Sequence, residues 1–239
     1  MADAPTTTPA PAATTAAAGD KVIKLTAMRG MIASKMLESL TTSAQLTHFA
    51  ECDVTGLLAM KARLQNEGLK ASVEDLIVEA VVQALREHPA VNGVLQGNEI
   101  TQRGDINVAV AVALPGDLLV APAIFNAGAL SLAERVKARR DIVDRAKINK
   151  ITVKEMTGGT FTISNIGLTR VRFFTPILNV PQIAILGVGE TAQRPWVVDG
   201  RIEPRPIMGL SLTFDHRAVN GAPAGEFLSD LCRIIEAMA

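Results

Sequence analysis

The sequence carries no excess of either charge: 24 Lys and Arg stand against 24 Asp and Glu, for a formal net charge of zero. A surface that follows a phosphate backbone is strongly basic, so nucleic acid is not an expected partner. Cysteine is scarce as well. Cys52 and Cys232 lie far apart in sequence, with no CxxC pair and no Cys/His cluster, which is the usage of a reducing compartment rather than of a disulfide framework. The three histidines, His48, His88 and His216, share no i, i+4 spacing and no HExxH, so no metal site is expected. The longest uncharged stretch, residues 173–189, is shorter than the roughly 20 apolar residues that span a bilayer and contains Pro176 and Pro181. It reads as core, and no membrane contact is expected. No basic residue precedes Lys21 and no apolar run follows Met1. With neither a secretory signal nor an Arg-rich transit peptide in view, the expected location is cytoplasmic. Phosphate-cradling loops (GxGxxG before a helix, GxxxxGK before Ser or Thr) and the nucleophile elbow GxSxG are also missing, as is any internal repeat.

What is present suits one globular domain behind a short arm. Sixteen of the first 19 residues are Ala, Thr or Pro, a composition with no apolar face to bury and a proline-stiffened backbone, so residues 1–20 read as a disordered linker and 21–239 as the folded domain. Over the whole chain 48% of residues are hydrophobic. Zero net charge with that apolar content leaves little colloidal repulsion, as suits a subunit that meets copies of itself.

Periodicity predicts helices over 29–40 (a stripe of Met31, Ile32, Met36 and Leu40), 54–66, 72–88, 130–147 and 225–238. Ser72 with Asp75 forms a capping box and Pro89 ends that helix. The charged helix over 130–147 is expected to lie on a surface. Strands are predicted over 49–54, 106–114 and 118–124 (paired across Pro115-Gly116), 160–163, 182–188, 196–198 with 201–202 across Asp199-Gly200, and 208–214. Helices and antiparallel hairpins mix without strict alternation, so the fold class is α+β.

Two polar clusters interrupt the apolar pattern. In SLTFDHRAVNG a strand with alternating Leu210, Leu212 and Phe214 runs into Asp215, His216 and Arg217. An imidazole at a buried strand's end can be held in one tautomer with a pKa near neutrality, as a general base requires, or it can be a satisfied strand-end histidine. In GGTFTISNIG, glycines bracket a short strand ending in Ser164 and Asn165, whose hydroxyl and amide can face a cleft, or which can form a plain hairpin. With no nucleophile elbow, Ser164 suits an oxyanion donor better than an acylated nucleophile.

Taken together, MRGMIASKM, THFAECDVTGLLAMKARL, AVNGVLQGNEI, INVAVAVALPGDLLVAPAI, GGTFTISNIG, FFTPILNVPQIAILGVG and SLTFDHRAVNGAPAGEFL resemble, in order and spacing, the catalytic domain of the dihydrolipoamide acyltransferase component of 2-oxo acid dehydrogenase complexes, pyruvate dehydrogenase among them. The resemblance implies a chloramphenicol acetyltransferase-like fold, a mixed sheet flanked by helices, assembled as a homotrimer with active sites between subunits. It implies coenzyme A as a substrate and a lipoyl group supplied in trans or by a module outside this chain. Its partners would be a lipoyl-bearing domain and the other subunits of the complex. His216 matches the catalytic histidine of the DHRxxxG motif, Ser164 the oxyanion donor, and Asn220 stands where the commonest motif has Asp. Arg29 is the match for the arginine that pairs with that Asp, so here the ion pair is lost while hydrogen bonding remains, and activity is expected to be retained. Asp215, Arg217 and Asn165 complete the two motifs as supporting residues. His48 is placed by the resemblance near the substrate channel or trimer interface, with a core position as the alternative; His88, at a helix C-terminus, reads as exposed. Without a leucine-rich tail after IIEAMA, trimers are expected to build larger cores poorly. A catalytically silent scaffold subunit and a free-standing CoA-dependent acetyltransferase are the competing readings.

Overall fold

The computed structural model describes residues 17, 19–25, 27–116 and 118–238. The linker expected over 1–20 falls almost wholly outside these residues.

The sheet that organises the domain has six strands in the order β1-β10-β9-β8-β4-β7. They are β1 (Gln45–Asp53), β4 (Val108–Val110), β7 (Ala123–Ile124), β8 (Phe161–Asn165), β9 (Ala184–Val198) and β10 (Arg201–Asp215). β8 runs parallel to both β4 and β9, and the other pairings are antiparallel. The sheet is therefore mixed. A parallel neighbour on each side also shows that the Gly-bracketed segment around Ser164 is a central strand and not a hairpin.

One face carries the core. Helices α2 (Thr55–Asn66), α3 (Val73–Glu87) and α6 (Gly221–Glu236) lay Leu57, Ile77, Val81, Phe227, Leu231 and Ile235 against Phe161, Ile163, Leu186, Leu212 and Phe214 of the sheet. Alternation along each strand makes this possible: burying Phe161 and Ile163 against the helices turns Thr162 and Ser164 to the opposite face. The capping box at Ser72 and Asp75 starts α3 as the sequence indicated. α4 (Leu132–Lys147) sinks deeper than its charge suggested, with Arg135, Val136, Ile142 and Ala146 buried. Arg135 is held there by the carbonyl of Ala127 at 2.7 Å and by an ion pair with Glu79, while its Nε stays without a partner among the described residues.

The opposite face is covered by helix α1 (Ala27–Thr42) and the extended segment 172–179. α1 turns only half of the predicted stripe inward: Ile32 and Met36 face the sheet, while Met31 and Leu40 are exposed. Ser39 faces in instead, fully buried, and its hydroxyl donates to the carbonyl of Leu178 at 2.7 Å. Gln45 closes the knot, donating to the Ser39 hydroxyl at 3.0 Å and accepting from the Leu178 N–H at 3.2 Å. Two glycines let the extended segment lie so close. A Cβ on Gly189 of β9 or on Gly209 of β10 would collide with the carbonyl oxygen of Arg172. Gly209 also sits at the one register shift between β9 and β10.

β9 and β10 are continuous where four separate strands were expected. Pro195 pairs with Pro204 in the outer part of their ribbon, past the end of β1, where alternate positions face solvent and a missing N–H breaks no central ladder. The hairpin predicted over 106–124 divides in two: β4 pairs with β7 in the main sheet, and β5 (Val112–Leu114) pairs with β6 (Leu118–Val120) beyond it. A small hairpin, β2 (Gly93–Gln96) with β3 (Glu99–Gln102), and the short helix α5 (Val153–Thr157) complete the structure; the sequence reading assigned neither.

Candidate active site

Asp215 is the anchor from which the His216 loop hangs. It ends β10 with its carboxylate buried, and that carboxylate accepts hydrogen bonds from the Arg217 side chain at 2.6 Å, from the Arg217 N–H at 3.0 Å and from the Ala44 N–H at 3.3 Å. Burial works against its ionisation, but the Arg217 and backbone hydrogen bonds outweigh it and hold the carboxyl below its ordinary pKa. The main chain is fixed as firmly. The carbonyl of Asp215 accepts from Ala218 and Val219, and the His216 N–H donates to Ala44 at 2.8 Å. Asp215→Asn keeps the shape of this clamp and removes its charge. It is expected to lower stability at pH 7 by about 1–3 kcal/mol, since it weakens several hydrogen bonds to one charged group. Because the folded pKa is depressed, that contribution is present above the unfolded carboxyl pKa of about 4 and is lost as the pH falls below it. Denaturation of both proteins at pH 7 and pH 3 checks this: the gap between them should shrink on acidification.

On this loop the His216 side chain is exposed, its ring 5.8 Å from that of Phe214 between centroids. Its ring nitrogens make no hydrogen bond among the described residues. Asn220 lies one turn further on, exposed, at the N-cap position of α6, where its carboxamide makes no capping bond. Behind them, His48 of β1 stands edge-on to Phe214 at 5.0 Å and packs against the start of α6 beside Gly221 and Gly225. His48 thus supports the loop from within the fold.

Ser164 faces elsewhere. It lines a cleft of about 270 Å³ on the α1 face of the sheet, walled by Ile32 and Met36 of α1, Phe174 and Pro176 of the extended segment, and Leu119 of β6. The walls are apolar, and the polar groups lining the cleft among the described residues are Lys35, Thr162, Ser164 and Asn179. The Ser164 hydroxyl makes no hydrogen bond among the described residues and is free to donate to a ligand. Asn165 does not join it. Strand alternation turns Asn165 to the helical face, where it lies near Glu74 and accepts from the Gly167 N–H at 2.8 Å. The sequence reading, which let both groups face one cleft, is corrected by that alternation.

Within one chain, His216 is not among the residues that line the Ser164 cleft. Asp215 and Arg217 instead border a separate polar cavity of about 500 Å³ with Glu38, Gln96 and Gln182. Arg29, near the start of α1, donates to the carbonyl of Gly116 at the β5–β6 turn at 2.9 Å. Lys35, Asn179 and Phe174 escaped the sequence reading. Lys35 shares a helix face with Ile32 and Met36 of the predicted stripe, but a pattern traced through apolar residues passes over a lysine.

One further expectation changes. His88 is not an exposed end residue: its Nε2 lies 2.6 Å from Asp230 of α6, and its ring stands edge-on to Phe227. Glu87, His88 and Asp230 come close enough to share an ion, but Arg233 already pairs with Asp230. Cys52 and Cys232, distant in sequence, meet between β1 and α6 as free, buried thiols. The neighbouring Cys232 thiol and burial push the Cys52 thiol above its ordinary pKa.

A mixed sheet with helices on one face and a hydroxyl-lined apolar cleft on the other defines a chloramphenicol acetyltransferase-like fold. A solved chloramphenicol acetyltransferase superposes on 85% of the chain and 94% of its own, with a TM-score of 0.54 and 16% identity. The family is narrower. Residues 17–239 match the 2-oxoacid dehydrogenases acyltransferase (catalytic domain) family, and the chain belongs to it. A probable dihydrolipoamide acetyltransferase from Listeria monocytogenes is 32% identical with a TM-score of 0.87, covering 93% of this chain and 97% of that one. The dihydrolipoamide acetyltransferase of Azotobacter vinelandii is 31% identical with a TM-score of 0.84, covering 91% and 92%. Its structure accompanies an investigation of one serine, one histidine and one asparagine in its catalytic mechanism, and these follow one another at the same intervals as Ser164, His216 and Asn220. By sequence, the probable dihydrolipoyllysine-residue succinyltransferase component of the mitochondrial 2-oxoglutarate dehydrogenase complex of Schizosaccharomyces pombe is 37% identical over 223 residues, 90% of this chain and 49% of that protein. The chain spans about half the length of the curated relatives it matches. No helix among the described residues is long and apolar enough to cross a membrane.

Proposed function

We propose that this chain is the acyltransferase core domain of a 2-oxo acid dehydrogenase complex, moving an acyl group between a dihydrolipoyl thiol and coenzyme A, and that it works as a homotrimer. The observation that carries the reading is the placement of Ser164 and His216. Each is presented without a hydrogen-bond partner among the described residues, at the interval found in the acetyltransferase relative, yet the Ser164 cleft of one chain lacks His216. A site completed between neighbouring subunits reconciles these facts.

In this mechanism His216 removes the proton from the attacking thiol. A thiol of pKa about 8.5 is only a few per cent ionised at neutral pH, so a placed imidazole supplies the nucleophile. The thiolate attacks the thioester carbonyl, and the Ser164 hydroxyl donates to the oxygen as it becomes negative. Collapse expels the second thiolate, which takes the proton back from the imidazolium. Asp215 and Arg217 hold the loop, and Asn220 contributes a neutral hydrogen-bonding group beside the histidine. An asparagine at the same interval in the relative's mechanism supports activity over a silent scaffold. The lipoyl group comes from a domain outside this chain, and the other subunits of the complex are the partners.

Initial rates of the chain with dihydrolipoamide and an acyl-CoA, both varied, test the reading. Direct transfer in a ternary complex gives intersecting double-reciprocal plots. Parallel plots with a covalent acyl-enzyme, or no transfer at all, would contradict it.

A further inference from the structure

The face that α1 turns to the Ser164 cleft is apolar except at one position. Ile32, Lys35 and Met36 stand at i, i+3 and i+4, the spacing that puts residues on one helix face, and all three line the cavity. Lys35 is the one charged residue lining it among the described residues. The neighbouring walls are Phe174, Pro176 and Ile177. Burial lowers the pKa of Lys35, against the field of Glu38 one turn along, so its ammonium is incompletely solvated. Glu38 itself is exposed and makes no ion pair with it among the described residues. A cation held against apolar walls is costly unless an anion joins it there.

Resting on the transferase reading, which puts the acyl carbonyl at Ser164, the rest of the acyl group extends into this same cleft. We propose that Lys35 receives a terminal carboxylate on that acyl group, and so selects a dicarboxylic acyl group over acetyl or branched-chain ones. The chemistry of a succinyl group fits: two methylenes lie between its thioester carbonyl and its carboxylate, apolar enough for the walls, and the carboxylate needs a strong donor beyond them. Lys35 supplies the charge, and the Asn179 amide lines the same cleft as a second donor. A methyl or isopropyl end would leave the half-buried ammonium beside hydrocarbon with no anion to meet it. The other anions of the reaction are the phosphates of coenzyme A. These are multiply charged and strongly hydrated, and a single cation in an apolar cleft is a poor match for them.

The test compares succinyl-CoA with acetyl-CoA, which carry the same phosphates. For the wild-type chain, Lys35→Met and Lys35→Arg, two quantities are measured: kcat/KM for transfer to dihydrolipoamide, and the dissociation constant of each acyl-CoA by calorimetry. The expected result is a wild-type preference for succinyl-CoA that falls by roughly one to two orders of magnitude in Lys35→Met, the loss of one charge-assisted hydrogen bond, and largely returns in Lys35→Arg. Equal losses with both acyl-CoAs would overturn the proposal and place the cation on a phosphate; so would a preference indifferent to Lys35, or no wild-type preference. A Lys35-dependent preference in binding without any transfer would sink the transferase reading and leave the carboxylate site standing. Should Lys35→Met lose its cooperative melt, Lys35→Gln in the same assays decides.

Discussion

His216→Ala is expected to reduce kcat about 10²- to 10⁴-fold at neutral pH, the usual contribution of a positioned general base. The melting temperature should barely change. The ring is exposed beside Phe214, while the bonds that hold the loop belong to the His216 main chain and to Asp215. The pH dependence separates this from a structural defect. A thiol ionises unaided above a pH of about 8.5, so the deficit of the variant should shrink as the pH is raised through that value. A constant deficit across the range, or a loss under about threefold, would remove His216 from the role of base.

Ser164→Ala is expected to cost about 10²- to 10³-fold in kcat, the typical effect of deleting one oxyanion donor. KM should move little, because the hydroxyl binds an oxygen that carries its full charge only in the transition state. Stability should also be nearly unaffected. Among the described residues Ser164 has no hydrogen-bond partner to orphan, and Phe161 and Ile163, which anchor β8 in the core, remain. A change confined to KM would reassign Ser164 to ordinary substrate binding. Both variants are read by initial rates at saturating acyl-CoA, alongside thermal melts.

The chemistry-bearing residues were legible because each sits where a pattern breaks. Leu210, Leu212 and Phe214 alternate inward and end on Asp215, and the structure buries all three and turns the chain there. The capping box of Ser72 and Asp75 and the Asp199-Gly200 hairpin are local devices, and local devices are written in local sequence. What escaped depends on long-range partners. No window of sequence shows that β8 will find parallel neighbours in both β4 and β9, and that pairing alone sends Ser164 to the cleft and Asn165 to Glu74. The inward face of α1 was misjudged for a related reason. Ser39 is drawn in by a carbonyl 139 positions away, a partner that no helical window of sequence contains. Met31 and Leu40 remain exposed. His88 reads as a helix-end residue until α6 brings Asp230 to it.

The central claim is that one working site takes His216 from one subunit and Ser164 from its neighbour. Co-refolding the two inactive variants, His216→Ala and Ser164→Ala, in equal amounts tests it most directly, since each lacks what the other retains. In randomly mixed trimers, roughly a quarter of the interfaces join an intact His216 to an intact Ser164, so activity should return to about that fraction of wild type. If the mixture is no more active than the two variants measured separately, both groups act within a single subunit or not together at all, and the account fails.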